Sequence, residues 1–394
     1  MRRRDLDRLC LCGSGKKQKS CHPFRNSKKV PISDVELDAI RRDIQTRENI
    51  RIAQQGNGRP LITETLGNYR LVAVGKQLHW STDWKTVPDF LHSYLVNKFS
   101  PEWFRAETTK EINHQHDLTK WVSSIHQSQS RMERDANGLY SSDITGMHAC
   151  YFGTAYSLYL LQHNVELQER LIKRLKDIRQ FQGAYYELIV ANCLIRSGFE
   201  LKLEDETDQT VKHCEFSAHS KLTGKRFWIE AKMRSVSGYF GKTSVDSARG
   251  SDPTSQLSKH IRDSLKKPAD GERMIFVDLN AKPEHDKYEQ SWNSRVYSKL
   301  SARERELAPH EKAYIFVTNL PFHLSLEQAK TPRAVRAYGL GMPDFGKTGP
   351  LSDSGLMKIA TKHIDAYRVR DAIMSYPHIP LEFDPIPKNK LRGE

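Results

Sequence analysis

The sequence has no run approaching the roughly 18–20 consecutive apolar residues that a membrane helix requires. Its basic N-terminus is followed by no apolar stretch, so no secretory leader is expected either. These features predict a cytoplasmic protein without membrane contact. Cysteine is scarce: six residues in 394 are too few for a disulfide scaffold. We find no internal repeat and no low-complexity tract. Apolar residues reach only 38%, against 28% charged, which still suffices for packed cores and argues against a wholly disordered chain. The length accommodates roughly two to three domains.

What is present is unevenly placed. Residues 1–29 carry ten basic side chains against two acidic ones, a net +8 of the chain's +14. Such a patch, including Lys16 and Lys17, attracts phosphate polymers in a salt-dependent way. A solvated, solubilising tail is the alternative reading. Three of the six cysteines also fall in the first 21 residues. Cys10, Cys12, Cys21 and His22 supply three thiols and an imidazole, the donor set of a closed tetrahedral zinc site. Gly13-Ser14-Gly15 can turn the chain so that both pairs face one ion. A head this short has no core of its own, so the metal would supply its folding energy.

The pattern Cys-x-Cys-x-Ser-Gly-x5-Cys-His resembles the SEC-C motif, first described in the C-terminal tail of the bacterial preprotein translocase motor. Every ligand position matches, over about 15 residues. The resemblance implies structural Zn²⁺ and a docking role toward ribosomes, proteins or nucleic acid, and no zinc chemistry. The remaining cysteines, Cys150, Cys193 and Cys214, sit among apolar neighbours and read as buried small hydrophobes.

Further along, Ser33 and Glu36 have the spacing of a capping box. Tyr69–Val74 and Gln77–Trp80 are strand-like. Leu158, Leu161, Leu167, Leu171 and Leu175 predict long amphipathic helices. Residues 183–197 predict a helix ended by Gly198, with Glu187 on the apolar face of Ala184, Ala191 and Leu194. A carboxylate there needs a cation or partner, unless it snorkels at the edge of the stripe. Three strands follow: Phe199–Leu203, His213–His219 and Arg226–Met233. In the last, Phe227, Ile229, Ala231 and Met233 face one way and Trp228, Glu230 and Lys232 the other. A turn at Thr223-Gly224-Lys225 would pair the last two strands and bring Glu215 beside Glu230. Two close carboxylates repel unless a cation neutralises them, and oxygen ligands favour a hard ion such as Mg²⁺ or Mn²⁺. With Lys232 alongside, such a group can activate water for attack on phosphorus. A surface hairpin with an ordinary Glu–Lys pair is the bland alternative.

Glu187, Glu215 and Glu230-Ala231-Lys232 resemble, in order, the PD-(D/E)xK site of the restriction-endonuclease-like superfamily. The expected helix at Thr254–Lys266 and strands at Met274–Leu279 and Ala313–Thr318 continue that core order. The resemblance covers residues 181–325 and implies a metal-dependent nuclease, most often acting on DNA, in repair or in defence against foreign DNA. It assigns Glu215 and Glu230 to the metal and Lys232 to the attacking water. Glu187 would complete the metal shell or hold a second ion, and Gln256 would be an accessory contact. It also brings a homodimer into view, since many such enzymes pair to cut both strands. The first acid departs from the pattern: it is Glu215 rather than Asp, with no preceding proline. Asp208 is an alternative in a polar stretch. The loop Ser235–Ser255, with Lys242 and Arg249, reads equally as a phosphate-backbone contact or as an ordinary connection.

The fold class we expect is therefore α/β (α+β overall). A zinc knuckle occupies 1–26, a linker and a mixed, helical region of unassigned role 27–180, a restriction-endonuclease-like core 181–325, and an extension with one helix near 353–375 occupies 326–394. The rival function is a non-catalytic module that binds nucleic acid or protein and is recruited through the knuckle. Gly341–Thr348 matches the phosphate-loop pattern G-x-x-x-x-G-K-[ST], but Pro343 and the following Gly349-Pro350 fit a surface loop better. His114 and His116 read as ordinary surface residues.

Overall fold

The computed structural model describes residues 16–17, 33–136, 138–165, 169–203, 215–243, 252–284, 290–308, 311–347 and 353–384. Cys10, Cys12, Cys21, His22, Asp208, Cys214 and Arg249 lie outside the described residues. The chain divides into two units, Met1–Ile50 and Arg51–Glu394. In the first, Ser33 and Glu36 form the capping box. The Glu36 amide donates to Ser33 Oγ at 3.3 Å, and the Ser33 amide donates to Glu36 Oε2 at 2.9 Å. This opens helix α1 (Asp34–Gln55).

The second unit is mixed α/β. It begins with a three-stranded antiparallel sheet, β1 (Ile62–Leu66), β2 (Tyr69–Val74) and β3 (Gln77–Ser81). Helices α2 (Val87–Phe99), α3 (Pro101–Thr108), α4 (Asp117–Gln129), α5 (Gly146–Asn164), α6 (Glu169–Lys176) and α7 (Ile178–Arg196) follow. Then come β4 (Phe199–Leu203), β5 (Phe216–Ser220), β6 (Arg226–Met233), α8 (Leu257–Leu265) and β7 (Glu272–Asp278). Finally come α9 (Asn293–Arg305), β8 (Ala313–Asn319), β9 (Ala334–Leu340), α10 (Asp353–Lys362) and α11 (Ile364–Ser375). Strands β4 to β9 form one six-stranded sheet in sequence order. β4, β5 and β6 pair as an antiparallel meander. β6, β7 and β8 run parallel, joined by the crossover helices α8 and α9, and β9 returns antiparallel. No described helix is long and apolar enough to cross a membrane.

Two apolar layers sandwich the large sheet, and strand alternation assigns each side chain to one of them. Met274, Phe276, Tyr314 and Phe316 face the layer built by α5, α7 and α11. Ile275, Val277, Ile315 and Val317 face α8 and α9, where Leu257, Ile261 and Leu265 repeat at helical spacing. β8 is buried at every position, as a central parallel strand must be. The region before residue 180 supplies part of the first layer, with Val72, Phe90, Tyr94, Leu118 and Trp121 in the same cluster as the sheet. The expected long amphipathic helices resolve differently. α5 is buried on nearly all sides, whereas α6 is short and amphipathic, and Leu167 lies outside the described residues. The single helix expected near 353–375 is two, α10 and α11.

One hydrogen-bonded circuit fastens α7 to the C-terminal ends of β6, β7 and β8. Gln182 Nε2 donates to the carbonyl of Arg234 at 2.9 Å, and the Arg234 amide donates to the carbonyl of Asp278 at 2.9 Å. Thr318 Oγ1 donates to the Asp278 carboxylate at 2.7 Å and pairs with Tyr186 OH at 2.7 Å. Gln182 and Tyr186 are one turn apart on α7. Burial pushes Asp278 up to about 6, against the pull of bonds from Thr318, Asn280 and Leu320.

Two outcomes are expected. An Asp278 that binds its proton more tightly when folded stabilises the protein fully below the unfolded value near 3.8, and this contribution is lost as pH rises through about 6. Wild-type stability relative to Asp278→Asn should therefore fall by about 2–3 kcal/mol between pH 4 and pH 7, measured by urea unfolding at each pH. Gly146 opens α5 against backbone: a Cβ there would lie 2.2 Å from the Ser325 carbonyl oxygen and 2.4 Å from that of Phe322. Gly146→Ala should cost about 1–3 kcal/mol in the same assay.

Candidate active site

The site is assembled from α6, α7, the β5–β6 hairpin and the end of α8. Asp177 caps α7, accepting from the Arg179 amide at 2.9 Å, and Gly198 with φ +95° follows its end. The stripe expected around Glu187 is present: Ala184, Ala191 and Leu194 are buried beside it. Its carboxylate is held by Arg174 of α6 in a two-pronged pair, with Nη1 to Oε2 and Nη2 to Oε1 both at 2.7 Å. Burial first, and the neighbouring Glu215 charge second, push Glu187 up to about 7 despite Arg174. Glu187 was expected to complete a metal shell; here both its oxygens are engaged by the guanidinium.

The hairpin forms as its sequence predicts. Gly224 takes φ +70° at the turn, a conformation that favours glycine. Phe216 pairs with Ile229, and the Glu215 amide donates to the Ile229 carbonyl at 3.1 Å. Glu215 immediately precedes the first paired residue of β5, and its side chain and that of Glu230 both meet Lys232. Phe227, Ile229 and Ala231 enter the α7-side layer. Trp228, Glu230 and Lys232 take the α8-side face, to whose apolar cluster β6 contributes nothing. Polar side chains therefore occupy the margin of that layer. Gln182 also donates to the Met233 carbonyl at 3.2 Å, which fixes the strand just after Lys232.

Glu230 has no accessible surface. Lys232 Nζ donates to Glu215 and lies 3.3 Å from Glu230 Oε2. Lys267, from the turn after α8, lies 2.7 Å from Glu230 Oε1 and 3.7 Å from Glu215 Oε1. Two carboxylates and two ammonium groups thus interlock. Burial pushes Glu230 above the usual carboxylate range, and the charge of Glu215 adds to it against the pull of the lysines. Burial acts the same way on Glu215, but Lys232 and Lys267 outweigh it and hold that carboxyl low. Lys232 is pulled down by burial and raised further by Glu215 and Glu230, ending above its ordinary value. His260, on α8, is held neutral: burial first and the Lys232 ammonium second lower it to about 4. An open cleft beside these groups is lined by Arg170, Arg174, Glu187, Leu203, Glu215 and others.

Among the described residues, no three His, Cys, Asp or Glu side chains lie at the spacing of a preformed metal site. The Glu215–Glu230 pair nevertheless has the donor chemistry for a hard cation. Both Glu230 oxygens are enclosed and meet ammonium groups, Lys267 Nζ at 2.7 Å from Oε1 and Lys232 Nζ at 3.3 Å from Oε2.

Several other expected residues are placed elsewhere. Gln256 stands at the start of α8, where its backbone carbonyl accepts from His260 at 3.0 Å and its side chain makes no capping bond. Lys242 Nζ donates to the Arg179 carbonyl at 2.8 Å, and Phe240 packs on Phe181 and Tyr185. Residues 240–242 of that loop are therefore pinned to α7, whereas Asp252 and Thr254 are held by Arg295 and Lys299 of α9. Lys16 and Lys17 are exposed. His116 is a correction: it is buried, not a surface residue, and its Nδ1 caps α4 by accepting from the Leu118 amide at 3.2 Å. In the phosphate-loop pattern, Lys347 is bound by Glu304 at 2.6 Å and by the Gly339 carbonyl at 2.9 Å. It follows β9, an antiparallel strand at the sheet's end.

Sequence reasoning missed Arg174, Lys267 and His260. Arg174 is one of several basic residues in α6, and nothing in that run singles it out. Lys267 had no pattern to mark it.

Removing one lysine leaves buried carboxylates short of a cation. Lys232→Met should destabilise the protein by about 2–3 kcal/mol, and by clearly less in a Glu215→Gln background. A double-mutant cycle by denaturant unfolding reads the coupling, and strict additivity would refute the interlocked arrangement. No family model, curated protein or solved structure matches this chain.

Proposed function

We propose that the protein is a metal-dependent nuclease that hydrolyses phosphodiester bonds. The observation that carries this reading is the convergence of two carboxylates, Glu215 and Glu230, on one ammonium group, Lys232. The element order around it, α7, the β4–β5–β6 meander, α8 and parallel β7, is that of the restriction-endonuclease-like core that the motif resembles. Glu215 and Glu230 would hold Mg²⁺ or Mn²⁺. When bound, the ion supplies charge neutralisation and a more acidic water.

The chain's own groups account for the rest. Lys232 orients the attacking water and stabilises negative charge as the water oxygen bonds to phosphorus and the P–O bond to the leaving oxygen breaks. Arg174, steered by Glu187, presents a guanidinium to the cleft where a phosphate would lie. Cys10, Cys12, Cys21 and His22 would bind structural zinc and, with Lys16 and Lys17, dock the enzyme on nucleic acid, a protein or the ribosome. The favoured substrate is DNA, in the cytoplasm, for repair or defence. A homodimer would serve double-strand cutting.

Cleavage of plasmid, linear and single-stranded DNA, and of RNA, with Mg²⁺ or Mn²⁺ tests this reading. Wild type should cut; Glu230→Gln and Lys232→Met should lose at least about 100-fold while still retarding the substrate in gels. Binding without cutting under either metal would replace the enzyme with the binding module. Metal analysis of the purified chain should also find one zinc, lost in Cys12→Ser.

A further inference from the structure

The Glu-x-Lys pattern accounts for one lysine, and the site has two. The second, Lys267, is held by its backbone: its amide donates to the Ser264 carbonyl at 3.3 Å, and its carbonyl accepts from Arg273 at 2.8 Å. Three residues on, the Asp270 carbonyl accepts from Trp228 Nε1 at 2.9 Å. Trp228 lies on the Glu230 face of β6, so the turn carrying Lys267 is fastened to the strand carrying the carboxylate. The Lys267 side chain is only 16% exposed, and its closest acidic contact is Glu230 Oε1.

An ammonium and a divalent cation compete for the same oxygen. Two carboxylates and two lysines already balance, so a cation entering with both lysines in place would leave an enclosed excess of two positive charges. Lys232 keeps Glu215 as its hydrogen-bond partner. Lys267 is the group whose withdrawal uncovers Glu230.

We infer that Lys267 is a second functional lysine: it occupies Glu230 until a divalent cation replaces it, and the displaced ammonium then contacts a non-bridging oxygen of the bound phosphodiester. This rests on the nuclease reading and assigns that site a competitive gate for metal and a further phosphate contact. It makes metal loading and substrate binding mutually supportive, because the anionic substrate takes up the cation that the metal displaces.

Calorimetric titration of Mn²⁺ into the full chain, without nucleic acid, tests it. The heat removed by Glu230→Gln defines the site. Lys267→Met should bind Mn²⁺ there about 3- to 10-fold more tightly than wild type, and Lys267→Arg should stay near wild type. At saturating Mn²⁺, Lys267→Met should bind a short DNA duplex at least about 3-fold more weakly. A Glu230-dependent heat that Lys267→Met leaves unchanged or weakens overturns this inference alone. Identical heats for wild type and Glu230→Gln overturn the nuclease reading and this one together. Lys267→Gln replaces the methionine variant should the latter not unfold cooperatively.

Discussion

A carboxylate with no accessible surface sets the terms for this protein. Glu230 lies on β6 between a strand that carries a second acid and a turn that carries a lysine. Isolated in that position, its charge would cost several kcal/mol. Lys232 and Lys267 offset that cost, and Glu215 in turn keeps Lys232 charged. None of the four can be removed without leaving another uncompensated. Such an arrangement is a poor way to stabilise a fold, because apolar side chains of the same volume would serve as well.

The parts of this arrangement that follow from strand alternation were legible in the sequence. The faces of Arg226–Met233, the turn at Gly224 and the β5–β6 pairing that brings Glu215 near Glu230 all follow from a period of two and one glycine in a left-handed turn. The helix carrying Glu187 was equally legible from its apolar stripe. Its partner was not. Arg174 lies on a different helix, and contacts between elements leave no periodic trace. Lys267 was hidden for the same reason. His116 was misjudged because a polar residue in a polar stretch looks exposed, whereas here it caps α4 from inside the core.

The extent of the core was also underread. Residues 27–180 have no role assigned from the sequence, yet they bury Val72, Phe90 and Trp121 in the same layer as α7 and the sheet. α5 is nearly apolar on every side, so its periodicity is weak where its burial is greatest. Strands β8 and β9 extend the sheet beyond the four strands that the site needs. On one face, Ile275 and Val277 of β7 and Ile315 and Val317 of β8 are covered together by α8 and α9.

The circuit through Gln182, Arg234, Asp278, Thr318 and Tyr186 explains how α7 serves the site without contributing a ligand. Two residues one turn apart clamp three parallel strand ends, and the first clamp falls two residues after Lys232. Glu187 follows Tyr186 on that same helix, so these bonds, most of them made by side chains, fix the stretch of backbone from which its carboxylate extends. Arg174 comes instead from α6, a short helix that contributes only Leu175 as a fully buried residue. The acidic half of the site therefore stands on the most firmly held part of the fold, and the cleft's guanidinium on a lightly anchored one. That division holds the two carboxylates in place and leaves the basic wall of the cleft the more adjustable side.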